Sequence, residues 1–590
     1  MIIGIDVGGT HTDGVLLKAE TNQNVKPQNS EDIDTKYKVI RSAKVVTSHK
    51  QLLDSITSII DELLASQPAE EVKRVVLSTT LATNVILEKK YGKIGLILIP
   101  GPGLNPEFLK LGEDNLILSA YINHRGKEVS PILPEEVIKG LKRFKEHKIN
   151  KLAVAGKFSV RNPVQEKGVV EIINQFNYKP EALTTGYSLS GRLNFPRRVI
   201  SAYYNSAVST VQGKFVEAVK NALKARNIRA EILLLKSDGG TIPLKDSLTS
   251  PVKTVNSGPA ASLMGAMALS TAIRKRETAV VLDIGGTTTD IGLFIKGDPV
   301  FKPEGIEIEG WPTLVRGLFT ISLPIGGDSE LRVAEGKLKI GPRRRGPAVA
   351  FGGTFPTPTD ALLILGELKD EPGSGMGTPF DLESARKALL PLARKLGMGL
   401  DIKSLSELII KAMTEQIAAE IISMLDMLKK RPVYTISELL ERPEIKPRFL
   451  VAMGGPAKGL ASGIAAKLGC QAELISHFEL ANAVGAAIAR PTMTTTVHAD
   501  TAAGTLNIVE IGEHSGIEEG RDFNIEEAEK LAVEWTRKRA GDKEAVVEIT
   551  DRESFNLIRG FRSSGEIIEV KAQIKPGPAV GIAAAQESGE

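Results

Sequence analysis

Cysteine is nearly absent from this chain of 590 residues, which contains only Cys470. A single cysteine excludes an internal disulfide framework and any zinc or iron–sulfur centre whose ligands are cysteines of this chain alone. The seven histidines are scattered along the sequence, so metal chemistry based on histidine clusters is also disfavoured. The chemistry of the protein is therefore expected to depend on other side chains.

The chain also lacks a strong charge imbalance and long apolar runs. Its 75 basic and 71 acidic residues give a net charge of +4, which is too small and too dispersed to predict a nucleic-acid or membrane partner. No apolar run reaches the roughly 18 residues of a membrane-spanning helix, and Asp6 interrupts the segment where a secretory signal is apolar. A cytoplasmic protein is expected. The run Arg343–Arg345, flanked by glycines and prolines, predicts a solvated loop.

The length and the alternation of elements indicate several α/β domains. A chain of this size is too long for one hydrophobic core, and apolar strands alternate with amphipathic helices along most of it. We predict an N-terminal lobe over residues 1–190 and a second lobe over 191–490, with an irregular insert at about 300–380. A small α+β domain is predicted over residues 491–590.

One short stretch occurs twice in the sequence. Residues 5–17 are IDVGGTHTDGVLL and residues 282–294 are LDIGGTTTDIGLF, with seven of the thirteen aligned positions identical. Each copy predicts an apolar strand, a Gly-Gly turn and a second strand. A single strand and Gly-Gly turn is often a plain hairpin, but the duplication favours a function shared by both copies.

Glycine and threonine in such a turn are suited to binding phosphate, because backbone amides approach closely and hydroxyl groups add donors. An aspartate just before each turn then requires a cation between carboxylate and phosphate, for which Mg²⁺ held largely through water is the best candidate. Asp6 and Asp283 are the predicted metal and water-positioning residues, although each could instead cap its own hairpin. Asp13 and Asp290 remain open between the two roles. The predicted phosphate-binding residues are Gly8, Gly9, Thr10, Thr12, Gly285, Gly286, Thr287 and Thr288.

These features resemble the ATPase superfamily of actin, sugar kinases and heat-shock chaperones, in which two ribonuclease-H-like lobes each supply a phosphate hairpin at a cleft. A third element of that superfamily lies along the adenosine. The segment AMGGPA, residues 452–457, is similar to it and implies nucleotide contacts from Gly454 and Gly455. The helix ANAVGAAIA, residues 481–489, is expected to pack behind that segment.

Within this superfamily the chain is most similar to the hydantoinase A/oxoprolinase family. The resemblance covers most of the first 490 residues and rests on the joint order of both repeats with TTLATNVILEKK, KSDGG, NSGPAAS and TPTDALLILGEL. It implies ATP-dependent activation of the carbonyl of a five-membered cyclic amide, such as 5-oxoproline or a hydantoin, for ring opening. Phosphorylation supplies the leaving group that an unstrained amide lacks, which leaves positioning and charge neutralisation to the protein.

Four further residues are candidate substrate contacts. Thr83 and Asn84 begin a helix after an apolar strand, where helix capping explains them almost as well. Lys236 and Asp238 end another strand, a position that commonly faces the ligand in open α/β sheets. The family usually has Asn at position 238, and this departure puts the ordinary substrates of the family in doubt. Val349 stands where relatives have Cys, so any contribution of that cysteine to ring opening is missing from this chain.

Three functions remain open at this point. A cyclic-amide hydrolase is favoured, the ATP-dependent subunit of an acetone-carboxylase-like enzyme is the alternative, and a nucleotide-gated scaffold without catalysis is a third. The sequence offers no convincing nucleophile or acid/base pair for the hydrolytic step. The resemblance therefore implies a B-type partner subunit, and a homo-oligomer is left open.

Overall fold

The computed structural model describes residues 1–9, 11–20, 36–47, 52–368, 380–397, 399–430, 445–511, 513–517, 523–559 and 562–582. Thr10, one of the predicted phosphate-binding residues, lies outside the described residues. The helices, in chain order, are α1 (Leu52–Leu64), α2 (Leu81–Leu87), α3 (Pro134–Glu146), α4 (Val164–Gln175), α5 (Gly186–Leu189), α6 (Phe195–Ala225), α7 (Ser257–Leu269), α8 (Thr271–Arg274), α9 (Pro358–Leu365), α10 (Leu382–Leu396), α11 (Ile402–Lys429), α12 (Ala457–Leu468), α13 (Ala481–Ile488) and α14 (Ile525–Ala540).

The strands, in chain order, are β1 (Ile2–Val7), β2 (His11–Ala19), β3 (Lys36–Val46), β4 (Arg74–Thr79), β5 (Gly95–Ile99), β6 (Asn115–Ile117), β7 (Tyr121–Ile122), β8 (Glu128–Ser130), β9 (Lys151–Gly156), β10 (Ala182–Thr185), β11 (Glu231–Leu235), β12 (Thr241–Pro243), β13 (Ala279–Ile284), β14 (Thr289–Ile295), β15 (Asp298–Pro299), β16 (Glu307–Ile308), β17 (Trp311–Pro312), β18 (Thr320–Leu323), β19 (Leu331–Ala334), β20 (Lys337–Ile340), β21 (Phe449–Met453), β22 (Gln471–Leu474), β23 (Thr494–Asp500), β24 (Thr505–Ile508), β25 (Glu513–Gly516), β26 (Val547–Arg559), β27 (Arg562–Ile574) and β28 (Gly581–Ile582).

The first copy of the repeat forms the centre of a seven-stranded sheet. The strand order is β12-β11-β4-β1-β2-β3-β28, with β1 antiparallel to β2 and parallel to β4. The apolar face of α1 packs on this sheet, as its 3.6-residue period predicts, and Ile56, Ile59 and Ile60 are fully buried. The hairpin predicted for the first repeat is therefore confirmed as β1–β2.

The second copy forms the centre of a similar sheet. Its order is β15-β14-β13-β21-β22, with β18 pairing on β14, and β13 is antiparallel to β14 and parallel to β21. One apolar cluster joins the two sheets through α7 and α13, and it includes Val15 of the first sheet and Val451 of the second. The two repeated hairpins are thus held on one shared core.

Two further sheets of four or more strands are described, beside the two-stranded pairs β7-β8, β16-β17 and β19-β20. A four-stranded sheet, β10-β9-β5-β6, is inserted after the first sheet's β4 in sequence, and a five-stranded antiparallel sheet, β25-β24-β23-β27-β26, packs with α14 near the C-terminus. The final strand, β28, returns to the edge of the first sheet beside β3. The α/β class and the small α+β C-terminal region are confirmed. Among the described residues, none of the helices has the length and hydropathy needed to cross a bilayer.

Candidate functional site: paired aspartate hairpins

The two hairpins close in the same way. The amide of Gly8 donates to the carbonyl of His11 at 3.0 Å, and the amide of Gly285 donates to the carbonyl of Thr288 at 2.9 Å. In register, Asp6 faces Asp13 across the first hairpin, and Asp283 faces Asp290 across the second. Each hairpin therefore places two carboxylates side by side at the base of its turn.

Two of these aspartates carry a buried oxygen with neither a hydrogen-bond donor nor a cation among the described residues, since the third such oxygen, on Asp13, lies against Lys44. The Oδ1 atoms of Asp6 and Asp290 are both buried and unpaired. Burial, reinforced by Asp13 and Asp283, raises the pKa of Asp6 to about 7. Burial, reinforced by Asp283 and Asp6, raises the pKa of Asp290 to about 7 as well. The four carboxylates therefore lie close enough to repel one another across the two sheets.

Asp283 is held by two neighbours from helices outside the hairpin. Ser262 of α7 donates to its Oδ2 at 2.6 Å, and the side-chain amide of Asn482 in α13 donates to the same atom at 3.1 Å. Burial raises the pKa of Asp283 despite these bonds. Asn482 also lowers the pKa of Asp6, so its amide lies between the two predicted metal residues.

Asp13 has a different partner. The Lys44 ammonium in β3 forms an ion pair with its Oδ1 at 2.9 Å. Burial lowers the pKa of Lys44, but Asp13 more than offsets this effect and the pKa is raised overall. Lys44 therefore remains charged and neutralises Asp13.

An oxygen-rich site of this kind fits Mg²⁺. Buried and unpaired carboxylate oxygens that repel one another are the expected surroundings of a hard cation. Among the described residues, no group of three or more His, Cys, Asp or Glu side chains is arranged to hold a metal ion directly. This arrangement agrees with an ion that retains most of its waters and contacts only one or two carboxylates.

A loop after β18 braces the second hairpin. The amide of Gly327 donates to the carbonyl of Gly285 at 2.9 Å, and the amide of Asp328 donates to the carbonyl of Gly286 at 2.7 Å. A Cβ at Gly286 would lie 2.6 Å from the Asp328 carboxylate. The second turn is therefore fixed in place by the segment that follows it.

Arg344 also reaches this region. The run Arg343–Arg345 lies in a loop in which Arg343 and Arg345 are exposed, as the sequence predicts, but Arg344 is half-buried and its guanidinium pairs with Asp328 at 3.0 Å. Burial and Lys44 lower the pKa of His11 in the first hairpin; Arg344 also lowers this pKa, and Asp328 raises it. The pairing of Arg344 could not be predicted from flanking residues, because its acidic partner lies 16 residues earlier in the chain.

Gly454, in the predicted adenosine segment, approaches the second hairpin very closely. Its φ is +88°, and a Cβ there would lie 2.3 Å from the Ile284 carbonyl oxygen and 2.9 Å from Asp283 Oδ1. The adjacent Gly455 has nothing within 4 Å of its own Cβ position. Only glycine can occupy position 454 without displacing the hairpin.

Three of the predicted contact residues, Thr12, Thr83 and Asn84, make hydrogen bonds within the protein. Thr12 is buried and its hydroxyl is 3.0 Å from that of Thr47. The Thr83 hydroxyl accepts from the amide of Asn256, just before α7, at 2.9 Å, and Asn84 donates to the Thr80 hydroxyl at 3.2 Å. Thr287 is exposed at the second turn, and Thr288 is half-buried.

Lys236 and Asp238 form a buried pair at the end of β11. The Lys236 ammonium is 3.1 Å from Asp238 Oδ2, and Gln573 of β27 donates to the same oxygen at 2.7 Å. Burial raises the pKa of Asp238, but Lys236 and Arg316 with these hydrogen bonds lower it overall. Asp238 therefore connects the seven-stranded sheet to the C-terminal sheet.

Sequence reasoning missed Asn482, Ser262, Lys44 and Arg344. Asn482 is the single polar residue in the small-residue stretch of residues 481–489, and this exception could have identified it. Ser262 ends the segment NSGPAAS, which was used only as a family motif. Lys44 lies on an ordinary alternating strand and carries no local signal.

Comparisons with known proteins identify the family. The model for the hydantoinase/oxoprolinase N-terminal region matches residues 2–176, and the model for hydantoinase/oxoprolinase matches residues 198–495. The gamma subunit of acetophenone carboxylase from Aromatoleum aromaticum is 27% identical over 439 residues, covering 67% of this chain and 57% of that protein. Caprolactamase subunit alpha from Pseudomonas jessenii is 24% identical over 432 residues, covering 68% and 59%. 5-Oxoprolinase 1 from Arabidopsis thaliana is 23% identical over 534 residues, covering 80% and 40%.

Two solved structures share the fold. A nucleotide-free acetone carboxylase chain aligns with a TM-score of 0.71 at 15% identity, covering 97% of this chain and 87% of that one. The ATP-dependent caprolactamase from Pseudomonas jessenii aligns with a TM-score of 0.64 at 20% identity, covering 98% and 88%. The chain spans 40% to 59% of the length of the three curated relatives named above.

Proposed function

Because the chain belongs to the hydantoinase/oxoprolinase family, we propose that it uses ATP to activate the carbonyl of a cyclic amide for ring opening. The favoured substrates are five-membered rings such as 5-oxoproline or a hydantoin. The observation that carries this proposal is the convergence of two matching hairpins whose aspartates repel one another and leave buried oxygens unpaired. Such a site gains stability when a cation and a nucleotide bind.

Each residue then has a defined role. The backbone amides of the two turns and the hydroxyls of Thr10, Thr287 and Thr288 bind the phosphates, while the segment at Gly454 and Gly455 lies along the adenosine. Asp6 and Asp283 would hold Mg²⁺, which neutralises phosphate charge when bound. The substrate carbonyl oxygen attacks the γ-phosphorus and ADP leaves. Water then adds to the activated carbon, the ring C–N bond breaks as the nitrogen takes up a proton, and hydrolysis of the resulting acyl phosphate by a second water releases inorganic phosphate.

We retain Thr83, Asn84, Lys236 and Asp238 as candidate substrate contacts. Thr83 and Asn84 lie beside the start of α7, which also carries the partner of Asp283. Lys236 and Asp238 lie at the carboxyl end of β11, two strands away from β1 in the sheet. Both pairs therefore lie on elements connected to the hairpins.

We also include in the proposal the three-part division at residues 190 and 490 and a B-type partner subunit. Two of the relatives are named as subunits, and the described residues show no Cys–His or Ser–His hydrogen bond that could serve the hydrolytic step. The partner would supply that half of the reaction.

A carboxylase subunit is the second candidate. It is favoured by the match to the acetophenone carboxylase subunit and by the shared fold with acetone carboxylase. In that case ATP would be consumed only when bicarbonate and a ketone are present.

The test is to purify the chain and measure ADP release with Mg-ATP and a panel of lactams and hydantoins, with and without bicarbonate. Stimulation by a cyclic amide that Asp6→Asn abolishes is the expected result. Stimulation only by a ketone with bicarbonate would identify the second candidate instead. ATP turnover unaffected by every small molecule would contradict both enzymes.

A further inference from the structure

A small polar cavity lies between the segment around residues 301–316 and the C-terminal sheet, and its lining is rich in cations. Its volume is about 120 Å³, and its walls include Arg192, Phe301, Arg316, Thr550, Asp551 and Lys571. None of these residues belongs to either hairpin. A polar cavity of this volume has room for a small ion.

Three side-chain contacts join separate segments of the chain at this cavity or next to it. Arg192 pairs with Asp551 at 2.5 Å, Arg316 pairs with Glu548 at 2.7 Å, and Gln573 donates to Asp238 at 2.7 Å. The Arg316 guanidinium also stacks on Phe301, with 3.9 Å to the ring centroid. The walls are therefore fixed by contacts that do not depend on the cavity's contents.

The carboxylates near the cavity already have partners. Glu510 accepts from the amide and the hydroxyl of Thr496. Glu548, Asp551 and Asp238 pair with Arg316, Arg192 and Lys236, respectively. Burial, together with the like charges of Glu553 and Asp551, raises the pKa of Glu569 to about 8. Glu569 therefore adds little negative charge at neutral pH.

Arg316 contributes a buried donor to the cavity wall, since its Nη1 has no hydrogen-bond partner in the part of the chain that the structure describes. Lys571 lines the same cavity, and Lys253 lies close enough for the two ammonium charges to act on each other. Burial, reinforced by Lys236 and Lys571, lowers the pKa of Lys253 to about 8. These ammonium groups therefore repel one another, and an anion between them would relieve that repulsion.

We infer that this cavity is a binding site for a small oxyanion, held by Lys571 and Arg316, with Lys253 adding positive charge nearby. The shared ligand chemistry is a compact group with two or more charged oxygens, which both inorganic phosphate and a small carboxylate provide. Bound there, the anion bridges β27 of the C-terminal sheet to the segment that carries Arg316. The site is separate from the ATP hairpins and does not depend on which substrate the enzyme uses.

The test is isothermal titration calorimetry of the whole chain with inorganic phosphate and, separately, with acetate. Both titrations are run with Mg²⁺ and a non-hydrolysable ATP analogue, so that the hairpins are already occupied. Lys571→Met should weaken binding about tenfold or more, because it removes a charged donor from the cavity wall. Lys253→Met should weaken binding by a smaller factor of about threefold, because it removes only a nearby positive charge. Lys575→Met is the matched control, since Lys575 follows β27 but pairs with Asp298, and it should leave the affinity within about twofold.

Binding of phosphate alone would identify a phosphate site, and binding of acetate alone would identify a carboxylate site. Binding of both would identify a general oxyanion site. Two variants on different elements guard against misfolding, which thermal denaturation monitors. No binding of either anion to the wild-type protein, or equal affinity in the wild type and both folded variants, would show an adventitious ion only and overturn the inference.

Discussion

The two hairpins differ in how their aspartates are paired. In the first, Asp6 has a buried unpaired oxygen and Asp13 is neutralised by Lys44. In the second, Asp283 accepts from two donors and Asp290 has the buried unpaired oxygen. The sequences around these aspartates are nearly the same, and their registers match. The unpaired oxygen nevertheless lies before the turn in one copy and after it in the other.

This difference comes from segments that are not repeated. Lys44 is contributed by β3, Ser262 by α7 and Asn482 by α13. The repeated motif supplies the carboxylates, and their neighbours decide which of them keeps an oxygen available. Each hairpin keeps one buried oxygen with neither a donor nor a cation among the described residues, on Asp6 in the first and on Asp290 in the second. Asp283 remains a candidate ligand as well, because both of its donors bind Oδ2.

The two turns also differ in the space beside their second glycine. Among the described residues, Asp328 lies 2.6 Å from a Cβ built at Gly286, whereas none lies within 4 Å of one built at Gly9. A side chain at position 286 would therefore displace Asp328.

The largest predicted effect tests whether both hairpins act in the same reaction. Asp6→Asn and Asp283→Asn each remove charge at the proposed metal site with almost no change in volume. ATP turnover should fall on the order of 10²–10³-fold in each variant, the usual effect of losing one electrostatic participant. Steady-state ADP release is the measurement, and circular dichroism checks the fold. Wild-type turnover in both variants would refute the assignment.

A second prediction compares the aspartates that follow the turns. Asp290→Asn should lower ATP turnover by roughly 10²-fold, because it removes an unpaired carboxylate. Asp13→Asn is the matched variant and should lower turnover by less than about tenfold, because Lys44 already neutralises that carboxylate. Equal losses in the two variants would mean that the hairpins are functionally symmetric and that Lys44 is unimportant.

A third prediction concerns the segment behind the second hairpin, which the first hairpin lacks. Gly454→Ala should weaken nucleotide binding at least about tenfold, since the new Cβ meets the Ile284 carbonyl and Asp283 at a backbone angle that favours glycine. Gly455→Ala is the matched control, because its Cβ position is open. Fluorescent-nucleotide titration measures both. An affinity in Gly454→Ala equal to that of the control would contradict the proposed contact.

The sequence predicted the hairpins because their signals are local. Alternating apolar residues around a Gly-Gly turn specify strand, turn and strand without reference to the rest of the chain. The comparisons and the structure confirm the family and the α/β fold with a C-terminal sheet. The roles assigned to Asp6 and Asp283 remain predictions.

The partners of the aspartates could not be predicted, because they depend on contacts between distant segments. Asn482 is 199 residues from Asp283 along the chain, and Lys44 reaches Asp13 only because β3 pairs beside β2. One family motif has a structural explanation that sequence reasoning missed. In TPTDALLILGEL, Thr357 and Asp360 form a capping box, and Asp360 also accepts from the amides of Val349 and Ala350.

The smallest predicted effect measures how strongly Lys44 distinguishes the two hairpins. Lys44→Met leaves the Asp13 carboxylate without its cation and should lower the free energy of unfolding by about 1–2 kcal/mol. The effect is moderate because the two side chains are 26% and 17% exposed. The double variant Asp13→Asn/Lys44→Met should recover about 1 kcal/mol of this loss, because it removes the unpaired charge. Chemical denaturation measures all three variants.

Lys467→Met breaks an ion pair whose side chains are 51% and 48% exposed, and as the control it should change stability by less than about 0.5 kcal/mol. Additive effects of Lys44→Met and Asp13→Asn would show that the ion pair does not separate the first hairpin from the second.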